Sequence, residues 1–178
     1  MDSSIPFVPQ QPEHITLHHE GVIFDGSLPA PDYLRAIQHW VITSVGWPDI
    51  PYHFIIDLDG IIYEGRPLDA RGDTHTSYDL QNMAQIAVLG KYDEGEQVPD
   101  ERQIDAIIDI MTWLAFEYHI PPDAEHIKGH RDYIPVDSAT GLHIDPMTGE
   151  SITCPGDNLY VYLPSIINEV ADRLASMR

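Results

Sequence analysis

The chain has 178 residues, 43% of them hydrophobic, and both values fit one globular domain. Its 29 acidic residues outnumber 9 basic ones, and the formal net charge at pH 7 is −20. This charge excludes nucleic acid as a partner, because phosphate binding requires Lys and Arg, and it disfavours adhesion to anionic surfaces. The single cysteine, Cys154, excludes an internal disulfide.

The start of the chain predicts an extended segment without a targeting signal. Residues 1–13 contain three prolines, and we expect them to form a lead-in to one domain over residues 14–178. The first residues have neither the basic nor the apolar stretch of a signal peptide. No apolar run approaches the about 18 residues of a transmembrane helix, so we expect no membrane span. Cellular location and oligomeric state stay open, with a monomer as the default.

Hydrophobic periodicity predicts an α/β domain. Alternating apolar residues predict strands, and apolar residues at helical spacing, such as Leu34, Ile37 and Val41, predict helices. Asp100 with Gln103 has the pattern of a helix capping box. In chain order, we expect a strand at 14–19, a helix at 31–46, a hairpin at 52–64, a strand at 85–89, a helix at 101–118, a strand at 126–128 and a helix at 164–176. The fold class is therefore α/β, a single domain with a central mixed β-sheet and helices packed on it.

Two polar segments predict loops. Residues 57–60 faintly resemble a calcium loop but lack the later glutamate of that motif, so we interpret them as the hairpin turn. Residues 133–151 are rich in Pro, Gly, Asp and Thr and predict a long loop. His143 and Asp145 in this loop could serve a second metal, but a surface loop is the simpler interpretation.

Two histidine segments and the single cysteine form a set of metal ligands. His18 and His19 end the first predicted strand, His130 begins the long loop, and Cys154 follows it. Two imidazoles and one thiolate are a complete protein ligand set for a zinc ion that keeps its fourth position open for water. Only one of His18 and His19 should bind, because neighbours on a strand point to opposite faces. The alternative is that each histidine is a hydrogen-bonded interior residue and Cys154 a small buried hydrophobe.

The histidine segments belong to a longer ordered set of short motifs. These are Leu17-His18-His19, residues 52–56, Asp59-Gly60, residues 63–66, His75, residues 89–92, residues 129–132, and residues 153–157 with Leu159-Tyr160. Each motif is weak alone, but in this order they resemble the zinc-dependent N-acetylmuramoyl-L-alanine amidases. That family includes phage lysozyme-like amidases and peptidoglycan-recognition proteins, and the resemblance covers roughly His14 to Tyr160.

The resemblance implies a metal, a reaction and a partner. It assigns Zn²⁺ to His18, His130 and Cys154. It implies hydrolysis of the amide bond between N-acetylmuramic acid and L-alanine, with peptidoglycan or a muropeptide as substrate. Two alternatives remain, a peptidoglycan-binding module that does not hydrolyse its ligand and an amidase that acts on soluble muropeptides.

The resemblance also implies roles for residues around the metal. Tyr52 corresponds to a tyrosine that donates a hydrogen bond or relays a proton during catalysis. Thr153 is a second catalytic candidate, and His75, Arg66 and His19 are candidates for substrate contact.

Two departures from the family pattern leave the general base open. Many relatives have Lys or Thr two positions before the third ligand, where this chain has Ile152. Some relatives carry a glutamate on the strand that corresponds to residues 86–89, which here contains no carboxylate. Tyr52, Thr153 and a loop carboxylate therefore remain candidates for the base.

Overall fold

Five short strands form one mixed sheet at the centre of the domain. The computed structural model describes residues 5–177. The strands are β1 (His14–His19), β2 (Phe54–Ile56), β3 (Ile62–Glu64), β4 (Met83–Val88) and β5 (Ile127–Gly129). Their spatial order is β3-β2-β4-β1-β5, with only β3 antiparallel to its neighbour. The predicted α/β class with a central mixed sheet is confirmed.

Helices cover both faces of this sheet. Within residues 5–177 the α-helices are α1 (Ala30–Trp40), α2 (Glu101–Tyr118), α3 (Asp157–Tyr160) and α4 (Leu163–Ser176). The capping box predicted for α2 is present, since Asp100 Oδ1 accepts from Gln103 N at 3.1 Å and Gln103 Oε1 accepts from Asp100 N at 3.2 Å. No helix in the described part of the chain combines the length and the apolar character needed to cross a membrane.

The alternation of side chains along β1 divides the sheet into two faces. Ile15 and Leu17 point into the larger core, which α2 and α4 cover. Thr16 and His18 therefore point to the opposite face, where α1 covers part of the sheet through a smaller core that contains Ile55. The polar residues of β1 consequently lie on the side of the sheet where space remains for a cleft.

The loop over residues 133–151 has more structure than its composition predicts. It folds into two tight antiparallel turns, with isolated bridges between Val136 and His143 and between Ile144 and Ser151. Asp145 is buried and accepts hydrogen bonds at 2.8 Å from both the backbone N–H and the hydroxyl of Ser77. The interpretation as a simple surface loop is therefore wrong at Asp145, because this carboxylate joins the loop to the segment around Ser77.

The N-terminal lead-in runs along the edge of the domain. Its residues 1–4 lie outside the described part of the chain. Gln10 N donates to Asp69 O at 2.9 Å, and Arg71 N donates to Val8 O at 2.8 Å. These bonds hold the lead-in against the loop that precedes β4.

A buried histidine, His53, joins β4 to the loop after β3. Its Nδ1 accepts from Gln85 N at 2.8 Å, which leaves Nε2 to donate to Ala70 O, also at 2.8 Å. The side chain is 1% exposed, and burial lowers its pKa from 6.5 to about 4. His53 is therefore neutral at physiological pH.

We expect the metal-free protein to lose stability as the pH falls from 6.5 to about 4. In this window the unfolded His53 is protonated while the folded one is not, so protons favour the unfolded state. The pKa difference corresponds to a loss of about 3 kcal/mol once both forms are protonated. Urea unfolding across this pH range should therefore show a smaller pH dependence for His53→Asn, which keeps an acceptor for Gln85 N, than for the wild type.

The exposed His39 on α1 provides the matched control, because His39→Asn should leave the pH dependence unchanged. The other buried histidines contribute equally to wild type and variants, so the difference isolates His53. Identical pH dependence in wild type and His53→Asn would contradict the prediction.

Candidate metal centre

A cleft opens at the carboxyl ends of β1 and β5, on the face of the sheet opposite α2 and α4. Its floor contains three of the residues singled out in the sequence, His18, His130 and Cys154. Its walls come from α1 and the turn after it, the segment 73–76, and the end of the 133–151 loop. Tyr52, His75 and His19 also line this cleft.

Parallel pairing brings the two histidines together. Leu17 of β1 lies opposite Gly129 of β5, so the residues that follow, His18 and His130, occupy the same level of the sheet. Their ring centroids are 4.8 Å apart. Cys154 Sγ lies 3.5 Å from His18 Nδ1. One ligand atom from each of these three residues lies within 4.8 Å of the other two.

The segments after β5 and before α3 hold Cys154 in place. Arg131 N donates to Cys154 O at 2.9 Å, and the Arg131 guanidinium donates to Thr153 O and to Asp157 Oδ1. The turn needs Gly156, which has a φ of +87° and where a Cβ would lie 2.3 Å from the backbone of Tyr92. The segment that follows His130 and the segment around Cys154 are therefore held together by hydrogen bonds.

The donor set fits zinc. Burial keeps the pKa of His18 well below 6.5 and lowers that of His130 to about 4, so both rings are neutral and carry a free lone pair. Burial raises the pKa of the Cys154 thiol to about 12, so the thiolate needs a nearby positive charge. A bound Zn²⁺ would supply that charge, and three protein ligands beside an open cleft are typical of catalytic zinc sites.

A known protein family matches the part of the chain that contains these three residues. The family model described as N-acetylmuramoyl-L-alanine amidase matches residues 8–156. The chain belongs to this family. The matched range includes His18, His130 and Cys154, and it covers all five strands of the sheet.

Known members and relatives of the amidase family match over part of their lengths. Peptidoglycan recognition protein 1 of Rattus norvegicus is 30% identical over 131 residues, which cover 74% of this chain and 61% of that protein. An N-acetylmuramoyl-L-alanine amidase of Sus scrofa is 27% identical over 127 residues, 71% of this chain and 18% of its own length. The chain thus spans about three fifths of the first of these relatives, and much less of the second.

Solved structures of the amidase fold superimpose on nearly the whole chain. Drosophila PGRP-LB has a TM-score of 0.68 at 21% identity, covering 93% of this chain and 86% of its own. The N-acetylmuramoyl-L-alanine amidase LysC from Clostridium intestinale has a TM-score of 0.68 at 24% identity, covering 92% and 91%. At these identities the likeness establishes the fold.

His19 lies outside the ligand cluster of this amidase-family chain. Its Nδ1 accepts from Tyr92 N at 3.1 Å, and burial lowers its pKa to about 4. A Cβ on Gly21 would lie 3.7 Å from His19 Nε2, so this end of the ring faces the chain that leaves β1. His19 thus forms part of the cleft wall and supports the turn that begins at Tyr92.

Tyr52 and His75 lie in the cleft, as the family pattern implies. The Tyr52 ring centroid is 5.4 Å from that of His18. Burial raises the pKa of Tyr52 above its ordinary value of 10, so the hydroxyl stays protonated and can act as a donor. His75 is exposed and packs on Trp47 with ring centroids 4.7 Å apart. Both side chains are therefore accessible to a molecule in the cleft.

Arg66 and Thr153 lie outside the cleft. The buried Arg66 guanidinium donates to Asp49 O, Ile50 O and Arg71 O, and it forms a 2.6 Å ion pair with Asp73. Thr153 is exposed and lies between two cleft residues without lining the cleft itself. The predicted substrate contact of Arg66 and the predicted catalytic role of Thr153 therefore lack access to the cleft in this structure. Arg66 instead supports the segment that forms one wall.

Sequence reasoning missed two residues that contact the histidine rings. Gln85 Oε1 is in hydrogen-bond contact with His18 Nε2, and Thr76 Oγ1 lies 3.0 Å from His130 Nε2. Gln85 carried a signal, since it is the polar residue of the otherwise apolar strand Met83–Val88. No sequence signal marks Thr76, because its position beside His130 depends on the path of a loop.

We expect the wild type to bind zinc, and His18→Ala, His130→Ala and Cys154→Ala each to lose most of it. Each change removes one of the three protein ligands, and two ligands hold zinc poorly. Metal analysis after dialysis against a weak chelator measures the bound zinc. His75→Ala is the control, because it changes a cleft histidine outside the cluster, and equal zinc loss in that variant would contradict the ligand assignment.

Proposed function

We propose that the protein is a zinc-dependent amidase that hydrolyses the bond between N-acetylmuramic acid and L-alanine in peptidoglycan. The observation that carries this proposal is the convergence of His18, His130 and Cys154 at the floor of an open cleft. Membership of the amidase family supports the choice of substrate bond. Zinc held there would polarise the scissile carbonyl and activate a water molecule as nucleophile.

Tyr52 stabilises the negative charge that develops on the carbonyl oxygen. Its hydroxyl is protonated at neutral pH, and its ring lies beside that of His18. A preorganised donor in a partly desolvated cleft stabilises an oxyanion more strongly than water does.

The walls of the cleft orient the substrate. Trp47 and His75 present two adjacent rings, tilted by 33° to each other, at one side, and Ile152 adds an apolar surface near Cys154. Flat apolar faces suit the pyranose ring and the alanine methyl of a muramoyl peptide, and they exclude bulk water from the reacting bond. Ile152 takes this packing role at the position where many relatives have Lys or Thr.

Glu20 is the carboxylate best placed to accept a proton. Three carboxylates line the cleft, and one of them, Asp73, is paired with Arg66. Glu20 follows the β1 histidines, and burial raises its pKa above 4.5. Its negative charge contributes, after burial and the charge of Cys154, to the raised pKa of Tyr52. A partly desolvated carboxylate is a stronger base than an exposed one.

We expect Glu20→Gln to lower kcat by about 100-fold while zinc content is unchanged, because general base catalysis is lost. Steady-state hydrolysis of a muramoyl peptide measures kcat, and metal analysis verifies the zinc. Glu150→Gln is the matched control, since Glu150 is an exposed carboxylate that also lines the cleft. Equal kcat in wild type and Glu20→Gln would exclude Glu20 as the base.

A second candidate function is recognition of peptidoglycan without hydrolysis. The relative from Rattus norvegicus is a peptidoglycan recognition protein, and one solved neighbour, peptidoglycan recognition protein LE, is in complex with tracheal cytotoxin, a monomeric diaminopimelic acid-type peptidoglycan. The absence of a carboxylate from residues 86–89 and the presence of Ile152 favour this candidate.

The Cys154→Ser variant distinguishes the two functions. We expect the zinc-loaded wild type to release new amino groups from purified cell wall, and Cys154→Ser to lose this hydrolysis because it lacks a zinc ligand, while it still sediments with the wall. A wild type that carries zinc and releases no amino groups would refute the amidase and leave recognition. Comparing intact sacculi with soluble fragments then separates cell-wall hydrolysis from action on soluble muropeptides.

A further inference from the structure

Gln85 contacts the ring of His18 on the side away from Cys154. The side chain of Gln85 is 1% exposed, and its Oε1 is in hydrogen-bond contact with His18 Nε2. An amide oxygen is only an acceptor, so this contact requires the proton of the neutral ring to be on Nε2. The lone pair of His18 is then on Nδ1, the atom that lies 3.5 Å from Cys154 Sγ.

Gln85 is itself held on several sides. Its backbone N donates to His53 Nδ1 at 2.8 Å, and its backbone O accepts from His53 N at 2.9 Å. A Cβ on Gly72 would lie 2.9 Å from Gln85 Cγ, so the side chain has little room on that side. His53 in turn donates to Ala70 O. Two hydrogen-bonded residues, His53 and Gln85, therefore connect the loop at Ala70 to the ring of His18.

Packing alone does not account for a glutamine at this position. β4 is buried along its whole length, and the amide nitrogen of Gln85 has no acceptor among residues 5–177. A buried polar group without a partner lowers stability, and methionine would fill a similar volume without that cost. The contact with His18 is the hydrogen bond that the amide oxygen of Gln85 makes in the described part of the chain.

We propose that Gln85 is a positioning residue that fixes His18 in the Nε2–H tautomer and so directs Nδ1 at the metal. This inference rests on the proposed zinc centre. A histidine ligand commonly donates its second ring N–H to an oxygen acceptor, which orients the ring and increases the basicity of the ligating nitrogen. Here a strand residue on the floor of the cleft supplies that acceptor.

The tautomer is measured directly in the metal-free wild type. Long-range ¹H–¹⁵N spectra of the full chain, with His18 assigned from the His18→Ala spectrum, report which ring nitrogen carries the proton. We expect Nε2–H for His18. A proton on Nδ1 would mean that Gln85 presents its amino group to His18, and it would overturn the proposal without any variant having to fold.

Zinc affinity tests the consequence. We expect Gln85→Met to weaken zinc binding about 10- to 100-fold in competition with a chelator. Gln85→Glu keeps an oxygen acceptor and should restore both the affinity and the Nε2–H signature. Gln103→Met is the matched control. Gln103 of α2 is buried as deeply as Gln85 of β4, but it lies on the opposite face of the sheet. The Gln103→Met variant should bind zinc with the same affinity as the wild type.

Zinc affinity in Gln85→Met equal to that of the wild type would overturn the positioning role, whatever the activity. A wild type that binds zinc with this dependence on Gln85, but leaves the amide bond intact, would refute the amidase and retain the inference. A wild type without affinity for zinc would overturn both.

Discussion

The parallel pairing of β1 with both β4 and β5 is the constraint on which the candidate site depends. It sets Leu17 opposite Gly129 and so brings His18 and His130 to one level of the sheet. A slip of one residue in β1 would turn His18 into the apolar core, because side chains alternate between the faces. Burial of Ile15 and Leu17 under α2 and α4 opposes that slip. The apolar face of the sheet therefore maintains the geometry of the polar one.

The regular elements were predictable where the periodicity is strong, and less so where side chains compete with the backbone. The bounds of β1 and the capping box at Asp100 are as predicted. The helix predicted over residues 31–46 stays α-helical only to Trp40 and continues as a π-helical turn. In that turn Thr43 Oγ1 donates to His39 O at 2.8 Å, and such a bond often bends a helix. The spacing of apolar residues does not reveal such competition between a side chain and the helix backbone.

Within the site, the sequence indicated which residue types could bind a metal, and the structure brings those three together. Gln85 is recognisable in the sequence as the polar residue of its strand, but not as a contact of His18, because the face that a strand residue occupies depends on register with strands distant in sequence. The sequence pattern placed Arg66 with the substrate, although the guanidinium has its partners in loops on either side of it. An arginine in a sequence motif can bind a substrate or stabilise the fold. Only the contacts that it makes in the structure distinguish these two roles.

Asp145 has a consequence for the shape of the cleft. Although burial opposes its ionisation, bonds from Ser77, Thr148 and Met147 lower its pKa to about 2. One carboxylate thus tethers two walls of the cleft to each other, the segment before Ser77 and the loop that carries Thr148. These two walls cannot separate unless this tether breaks, and mild acid leaves the Asp145 carboxylate charged. The distance between these two walls is therefore set by bonds within the fold and not by the molecule that enters the cleft.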